Sequence, residues 1–273
     1  MRAVVMACSA FVACSAFVAC VALAACTRSD GACGPSDANA QVADTGGVDD
    51  DDDGLDDAYE SALAAAYLPF IAHHPDDHCP LAGIVFRARP HPRNHALVHV
   101  VYDQLYARDC GLDGHVGDDE VFGATIDPAV PPPGGLVALV AISHQGTPCE
   151  RVTTCGSCAG MQPCDTKDGR PVVYCSQDKH GSVVDVGAGC SIGSCLETCA
   201  LPVAAPDLPL VNAGEPKHPL VHDLTDEGFI DDDWDASLQH FDPWSSSTFG
   251  GAGVLSADLV DDAFLPPACT CAQ

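Results

Sequence analysis

Six positions within one short stretch carry the clearest chemistry in this chain: Asp49, Asp51, Asp53, Leu55, Asp57 and Glu60. Ca2+ takes six to eight oxygen ligands, and alternate carboxylates on a tight loop can converge on it. Gly54 permits the sharp turn, and the Leu55 carbonyl supplies a backbone ligand. Glu60 can bind with both oxygens from the first turn of a following helix. The plainer reading is a solvated acidic run, because residues 49–53 are all Asp. Such a run does not need Gly54, Asp57 and Glu60 in register, so the spacing points to a calcium loop. No helix is expected before it, which makes it half of the usual two-helix unit. Asp56 stands where paired loops carry an apolar residue, so the loop is expected to act alone.

A second constellation is Gly114-His115-Val116-Gly117-Asp118-Asp119-Glu120, which opens an expected strand over 120–126. Asp118 and Glu120 are two residues apart, so on a strand both carboxylates face one way. His115 sits in the turn just before. One imidazole with two carboxylates suits Mg2+, Mn2+ or Ca2+ rather than a thiolate metal. The competing reading is a polar turn whose members hydrogen-bond one another. Asp109 and Asp113 lie close enough to join.

Several other patterns carry less. Cys155-Gly-Ser-Cys158 has the shape of a redox pair, and 155/158 with 195/199 has that of a zinc site. No strand and long helix surround the first, and an exported setting favours oxidation over zinc. Gly189-Cys190-Ser191-Ile192-Gly193 matches a hydrolase elbow, with His218, His222 or His240 as a base, but the chain lacks the alternating α/β context that an elbow needs. His73, His74 and His78 with Asp76 and Asp77 read as an exposed loop.

The elements that must position these groups follow from the apolar pattern. Asp56–Tyr67 reads as a helix with Tyr59, Leu63, Ala66 and Tyr67 on one face and acids in its first turn, and Pro69 stops it. Short Val-rich runs follow at 83–88, 96–106, 120–126, 136–143, 171–174 and 182–186, separated by turn formers such as Pro-Pro-Pro-Gly-Gly at 131–135. They predict a mainly β protein: an antiparallel β-sandwich with a short N-terminal helix and disulfide-rich loop insertions. The expected division is a signal peptide over 1–25, a flexible tether over 26–48, the calcium loop and helix over 49–68, the sandwich over 69–214 with Cys-rich insertions at 145–170 and 187–200, and a loop-rich cover over 215–273.

Composition sets the surroundings. Eleven Lys and Arg face 39 Asp and Glu, a formal charge of −28. No basic surface of useful size can form, which excludes nucleic acid as a partner. Hydrophobic residues at 47% supply a core. The 17 Cys argue for an oxidising, exported setting. Thirteen of them follow Cys26, an odd number, so one is unpaired or pairs between chains, and Cys33 is the expected one. Cys79 and Cys110 bracket the first strands and can pair; the eight between 149 and 199 are expected to form a local knot.

Leu23-Ala24-Ala25-Cys26 follows an apolar stretch with Arg2 as its charge and resembles the bacterial lipobox. In that family the Cys carries a diacylglycerol, which implies a lipid bilayer as a partner through Cys26. Thr27 in place of Asp favours the outer membrane of the cell envelope. From Asp49 to about residue 186 the chain resembles domains similar to vacuolar protein sorting-associated protein sixty-two. The blocks that carry this are the acidic loop, Ala65-Ala66-Tyr67-Leu68-Pro69, His74-Pro75-Asp76-Asp77, His115-x-Gly117-Asp118-x-Glu120, Ile142-Ser143-His144-Gln145-Gly146 and Arg170-Pro171-Val172-Val173-Tyr174 followed by Lys179-His180-Gly181. The central block is more distantly similar to the heptapeptide of necrosis-inducing, ethylene-inducing-like toxins. That likeness implies a β-sandwich and a divalent-metal site at His115, Asp118 and Glu120. Asp119 and Gly117 depart from the toxin pattern, so toxin activity is not implied. His144 and His180 end strands in the same blocks and are candidates to line the same cavity.

The sequence therefore points to a binding or structural envelope protein rather than an enzyme, with its protein or glycan partner unidentified. The alternative is a metal-dependent hydrolase using His115, Asp118 and Glu120.

Overall fold

The computed structural model describes residues 46–79, 81–144, 148–158, 160–184, 199, 203–204, 208–221 and 229. The lipobox with Cys26, the elbow at 189–193 and Cys33 lie outside these residues. The described part is mainly β, with one helix and two sheets packed against each other.

Helix α1 spans Asp57–Tyr67. Asp56 caps it by accepting a hydrogen bond from the Tyr59 amide at 2.9 Å, and Asp57 and Glu60 occupy the electropositive first turn. Its buried face is Glu60, Leu63, Ala64 and Tyr67, the i, i+3, i+4, i+7 stripe of an amphipathic helix. Ala64 is thus inside, and Ala66, expected on this face, is exposed. Glu60, a carboxylate on the core side, is the residue that a hydropathy pattern passes over.

The strands are β1 (Phe70–His73), β2 (Leu81–Pro90), β3 (Val98–Arg108), β4 (Val116–Ile126), β5 (Leu136–Ser143), β6 (Arg151–Gly156), β7 (Thr166–Lys167), β8 (Arg170–Cys175), β9 (Ser182–Val183), β10 (Val203–Ala204), β11 (Leu210–Asn212), β12 (Gly214–Glu215) and β13 (His218–Pro219). The larger sheet runs β11-β2-β3-β4-β5-β6. The smaller runs β10-β1-β8-β7, with β9 on β8, and β12 pairs with β13. Most pairings are antiparallel, but β1 lies parallel to β8 and β11 parallel to β2, so both sheets are mixed. Both parallel pairs join segments far apart in the chain, as parallel strands require a long connection. Strand β6 lies inside the stretch expected as a Cys-rich insertion.

Phe86, Val100, Tyr102, Phe122, Ile126 and Leu139 on the larger sheet meet Ile71 and Val173 from the smaller one, and Val184 just after β9, in a single buried cluster. Tyr102 stacks on Phe122 at 5.0 Å and donates from its hydroxyl to the Ala64 carbonyl at 2.9 Å, which fixes α1 to the sheet. The other face of the larger sheet is covered too. Val101, Asp103 and Leu105 are buried there, and a Cβ at Gly83 would meet the Phe229 ring at 2.0 Å. Burial on both faces explains why Val98–Tyr106 reads as a continuous run rather than an alternation.

Disulfides join Cys79 to Cys110 and Cys155 to Cys164. Cys149, Cys158 and Cys199 are also disulfide-bonded. The bond from Cys155 goes to Cys164, so 155 and 158 form neither a redox pair nor half of a zinc site. Cys175 is a buried free thiol. It removes one member from the expected knot of eight.

Candidate metal centre

The acidic loop is folded around its own backbone. Asp49 accepts from the amides of Asp53 at 3.2 Å and Gly54 at 3.1 Å, and Asp53 Oδ1 accepts from Leu55 N at 2.7 Å. Gly54 has φ 94°, in the left-handed region where glycine is at ease. Leu55 is buried with the main core cluster and anchors the loop to the sandwich. Asp57 accepts from the Asp50 amide at 3.2 Å.

What remains is a set of oxygens with no protein partner. Asp51 and Glu60 are 2% and 0% exposed. Both oxygens of Asp51, Oδ2 of Asp53 and Oε1 of Glu60 are buried without a hydrogen bond. Ligand oxygens of Asp51, Asp53 and Glu60 lie within 4.8 Å of one another, and so do those of Asp49, Asp51 and Asp57. The five expected carboxylates thus fall into two groups that share Asp51. These acidic clusters can hold a divalent metal ion.

The electrostatics agree. Burial first, then Asp53 and Glu215, pushes Asp51 up to about 8. Burial first, then Asp53 and Asp51, pushes Glu60 up to about 10. Burial also raises Asp53, to about 6. Carboxylates this close and this dry cannot all ionise without a cation among them.

Two neighbours of the loop carry no signal in its own sequence. Asn212 donates from Nδ2 to Glu60 Oε2 at 2.6 Å, and Glu215 pairs with the buried Arg87. A cleft of about 1130 Å³ opens beside the loop, with Asp49, Asp51, Asp53, Arg89, His95 and Lys217 among its lining residues.

The second constellation is organised differently from the expected triad. Asp118 and Glu120 do share the inner face of β4, next to Gln104 and Tyr106 of β3. His115, however, is half-exposed, with Nδ1 2.6 Å from the Gly117 carbonyl and Nε2 3.7 Å from Asp109. The imidazole beside Asp118 is His180, its Nδ1 2.6 Å from Oδ2 and its Nε2 3.4 Å from Asp77 Oδ1. His180 is fully buried and stacks on Tyr106 at 3.7 Å. Burial alone would lower its pKa, but the hydrogen bonds to Asp118 and Asp77 outweigh it and raise the ring to about 9. The imidazolium supplies between Asp77 and Asp118 the positive charge that a cation would otherwise supply. Glu120 Oε2 instead faces the Ser182 amide at 3.4 Å, and Asp109 pairs with Lys179. His144 follows β5, half-buried, with φ 52°.

Asp77, Tyr106 and Lys179 are thus members of this site beyond the expected set. Asp77 and Lys179 stand in the blocks that carried the resemblance, His74-Pro75-Asp76-Asp77 and Lys179-His180-Gly181. Tyr106 gave no signal beyond lying on a strand.

No family model and no curated protein matches the chain. Solved structures similar to it include a mutant of NLPPya, at 15% identity and TM-score 0.36, covering 58% of this chain and 73% of that one. NLPPya in complex with glucosamine is similar at 14% identity and TM-score 0.35, with the same coverage. A structure described as a toxin fold for microbial attack and plant defense is similar at 14% identity and TM-score 0.33, covering 55% of this chain and 72% of that one. At these values no residue's role follows from the likeness.

Proposed function

We propose that this chain is a lipid-anchored cell-envelope protein whose β-sandwich is stabilised by calcium in the loop 49–60, with a binding or structural role. The observation that carries the calcium reading is the convergence of unpartnered, buried oxygens from Asp51, Asp53 and Glu60. Leaving such groups unpaired costs about 1–3 kcal/mol each, more when charged, and a hard cation removes that cost. All-oxygen donors exclude soft metals, and a loop of acids with a glycine turn accommodates the larger, flexible coordination of Ca2+. The lipid anchor rests on Leu23-Ala24-Ala25-Cys26.

The test is a calcium titration of the purified protein after stripping of metal. Exported modules bind at about 10⁻⁴–10⁻³ M, and that range is expected here. Glu60→Gln keeps the shape, removes one charge and lowers affinity. Identical melting curves with calcium and with chelator would refute the reading. For the anchor, the mature N-terminus is expected to carry an acyl mass on Cys26, and Cys26→Ser is expected to release the protein from membranes.

A further inference from the structure

We infer that Asn212 positions Glu60 as a calcium ligand, so that calcium binding in the loop and docking of the segment 208–221 are one linked equilibrium. This rests on the calcium reading above and adds to it a residue about 150 positions away.

The side-chain amide of Asn212 works in two directions. Nδ2 donates to Glu60 Oε2 at 2.6 Å, which leaves Oε1 as the unpartnered atom aimed at Asp51 and Asp53. Oδ1 accepts from the Gly214 amide at 3.1 Å and so holds the turn that leads into β12. One amide therefore fixes the plane of a buried carboxylate and the path of the chain beyond it. Groups of this kind, one bond removed from a metal, orient its ligands and tune its affinity.

The same segment is bound to the sandwich through main-chain contacts beside the loop. Strand β11 lies on β2, with Asn212 opposite Phe86. The Ala213 amide donates to the Phe86 carbonyl at 2.7 Å, and the Ile84 amide to the Pro209 carbonyl at 2.9 Å. The following hairpin brings Glu215 to Arg87 and places His218 Nδ1 3.3 Å from Asp52 Oδ2 at the surface. The loop has no entering helix among the described residues.

The geometry makes the linkage work both ways. Docking brings Asn212 against Glu60 and seats Glu215 on Arg87 beside the loop. With the segment docked, Glu60 is held ready to bind a cation. A ligand that prefers the docked state stabilises that state, and docking tightens the ligand by the same factor.

The experiment uses the full-length protein. Hydrogen exchange of 208–221 is followed with calcium and with chelator, and calcium affinity is measured for the wild type and for Asn212→Leu. The expected result is exchange at least tenfold slower in calcium for the wild type. Asn212→Leu is expected to bind calcium about 10–100-fold more weakly and to lose the calcium-dependent protection. Wild-type affinity in Asn212→Leu, with only a lower melting temperature in chelator, would make Asn212 merely structural and overturn the inference. Equal exchange of 208–221 with and without calcium in the wild type would overturn it without any variant. If the wild type binds no calcium at all, the calcium reading falls as well, which separates that failure from the other two.

Discussion

His180 Nδ1 lies 2.6 Å from Asp118 Oδ2, a contact that joins the loop after β8 to the start of β4 across 62 residues of chain. Both groups are buried, and the stacked Tyr106 ring shields them from water. Burial raises Asp118 while its bond to His180 works against that rise. With Asp77 on its other nitrogen, His180 is an imidazolium at neutral pH.

This pair gives a pH dependence of definite sign. The pKa of His180 is raised from 6.5 to about 9 in the folded protein. The native state therefore holds a proton that the unfolded chain releases at lower pH. The stabilisation is fully present below about pH 6.5 and is lost as pH rises through about 9. Unfolding by urea at pH 6.5 and 9.5 measures it, with His180→Gln as the control that flattens the difference. Truncating one partner of a buried pair costs about 3–5 kcal/mol. His115→Ala, at a half-exposed ring, is expected to cost less than about 0.5 kcal/mol. Equal costs for the two substitutions would contradict this assignment.

Cys175 supplies a second, simpler expectation. It is 1% exposed, and burial pushes its thiol up to about 12. Its Sγ donates to Gln104 Oε1 at 3.2 Å. A thiol that is neither ionised nor reachable does not react. Alkylating reagents are expected to leave Cys175 unmodified in the native protein and to label it on denaturation without reductant. Rapid labelling of native Cys175 would show that β8 opens.

The disulfide between Cys79 and Cys110 closes a loop that holds β2 and β3. In the chain-entropy model a loop of this size contributes roughly 3–4 kcal/mol. Cys79→Ala with Cys110→Ala is expected to lower the melting temperature by several degrees, and the loss is expected to persist in saturating calcium. A double variant with unchanged melting would mean that Asp178, which bonds to Asp77 and His78 on one side and accepts from the Cys110 amide on the other, already fixes the two loops.

The contrast between the two acidic sites shows what sequence spacing conveys. The loop ligands are all contained in one turn and the start of one helix, so their convergence is a property of local geometry and is legible from Asp49 to Glu60. The cluster around His180 draws Asp77, Tyr106, Asp118 and His180 from separate loops and strands. Strand alternation placed Asp118 and Glu120 on one face, but which imidazole meets Asp118 depends on the crossover that brings β8 and β9 against β3 and β4. The Val-rich strands β3 and β5 were plain for the same local reason. β6, with Thr and Cys in place of Val, was hidden in a cysteine-rich stretch, and the parallel pairing of β1 with β8 leaves no periodic trace. Asn212 is invisible in the same way: nothing near it in sequence shows that it faces Glu60.

Charge within the loop gives a last prediction, because removing the cation makes its stability depend on pH. Without metal, burial raises Asp51 from 3.8 to about 8 and Glu60 from 4.5 to about 10. A carboxylate with a folded pKa above its unfolded one keeps its proton in the native state, so unfolding releases protons and native stability falls as pH rises. In metal-free protein this stability is therefore fully present below about pH 4 and is lost as pH rises through about 8 for Asp51 and about 10 for Glu60. With calcium bound the same carboxylates are ionised over that range, so this loss is absent. His180 adds a common slope above pH 6.5, so the comparison is made between calcium-bound and metal-stripped protein at each pH. The gap between their unfolding free energies is expected to widen from pH 5 to pH 8. In Asp51→Asn the metal-free slope is expected to shrink, because the group with no hydrogen-bond partner no longer ionises. A gap that stays constant with pH would mean that Asp51 and Glu60 do not change protonation when the ion binds, which would contradict their raised values in the metal-free loop.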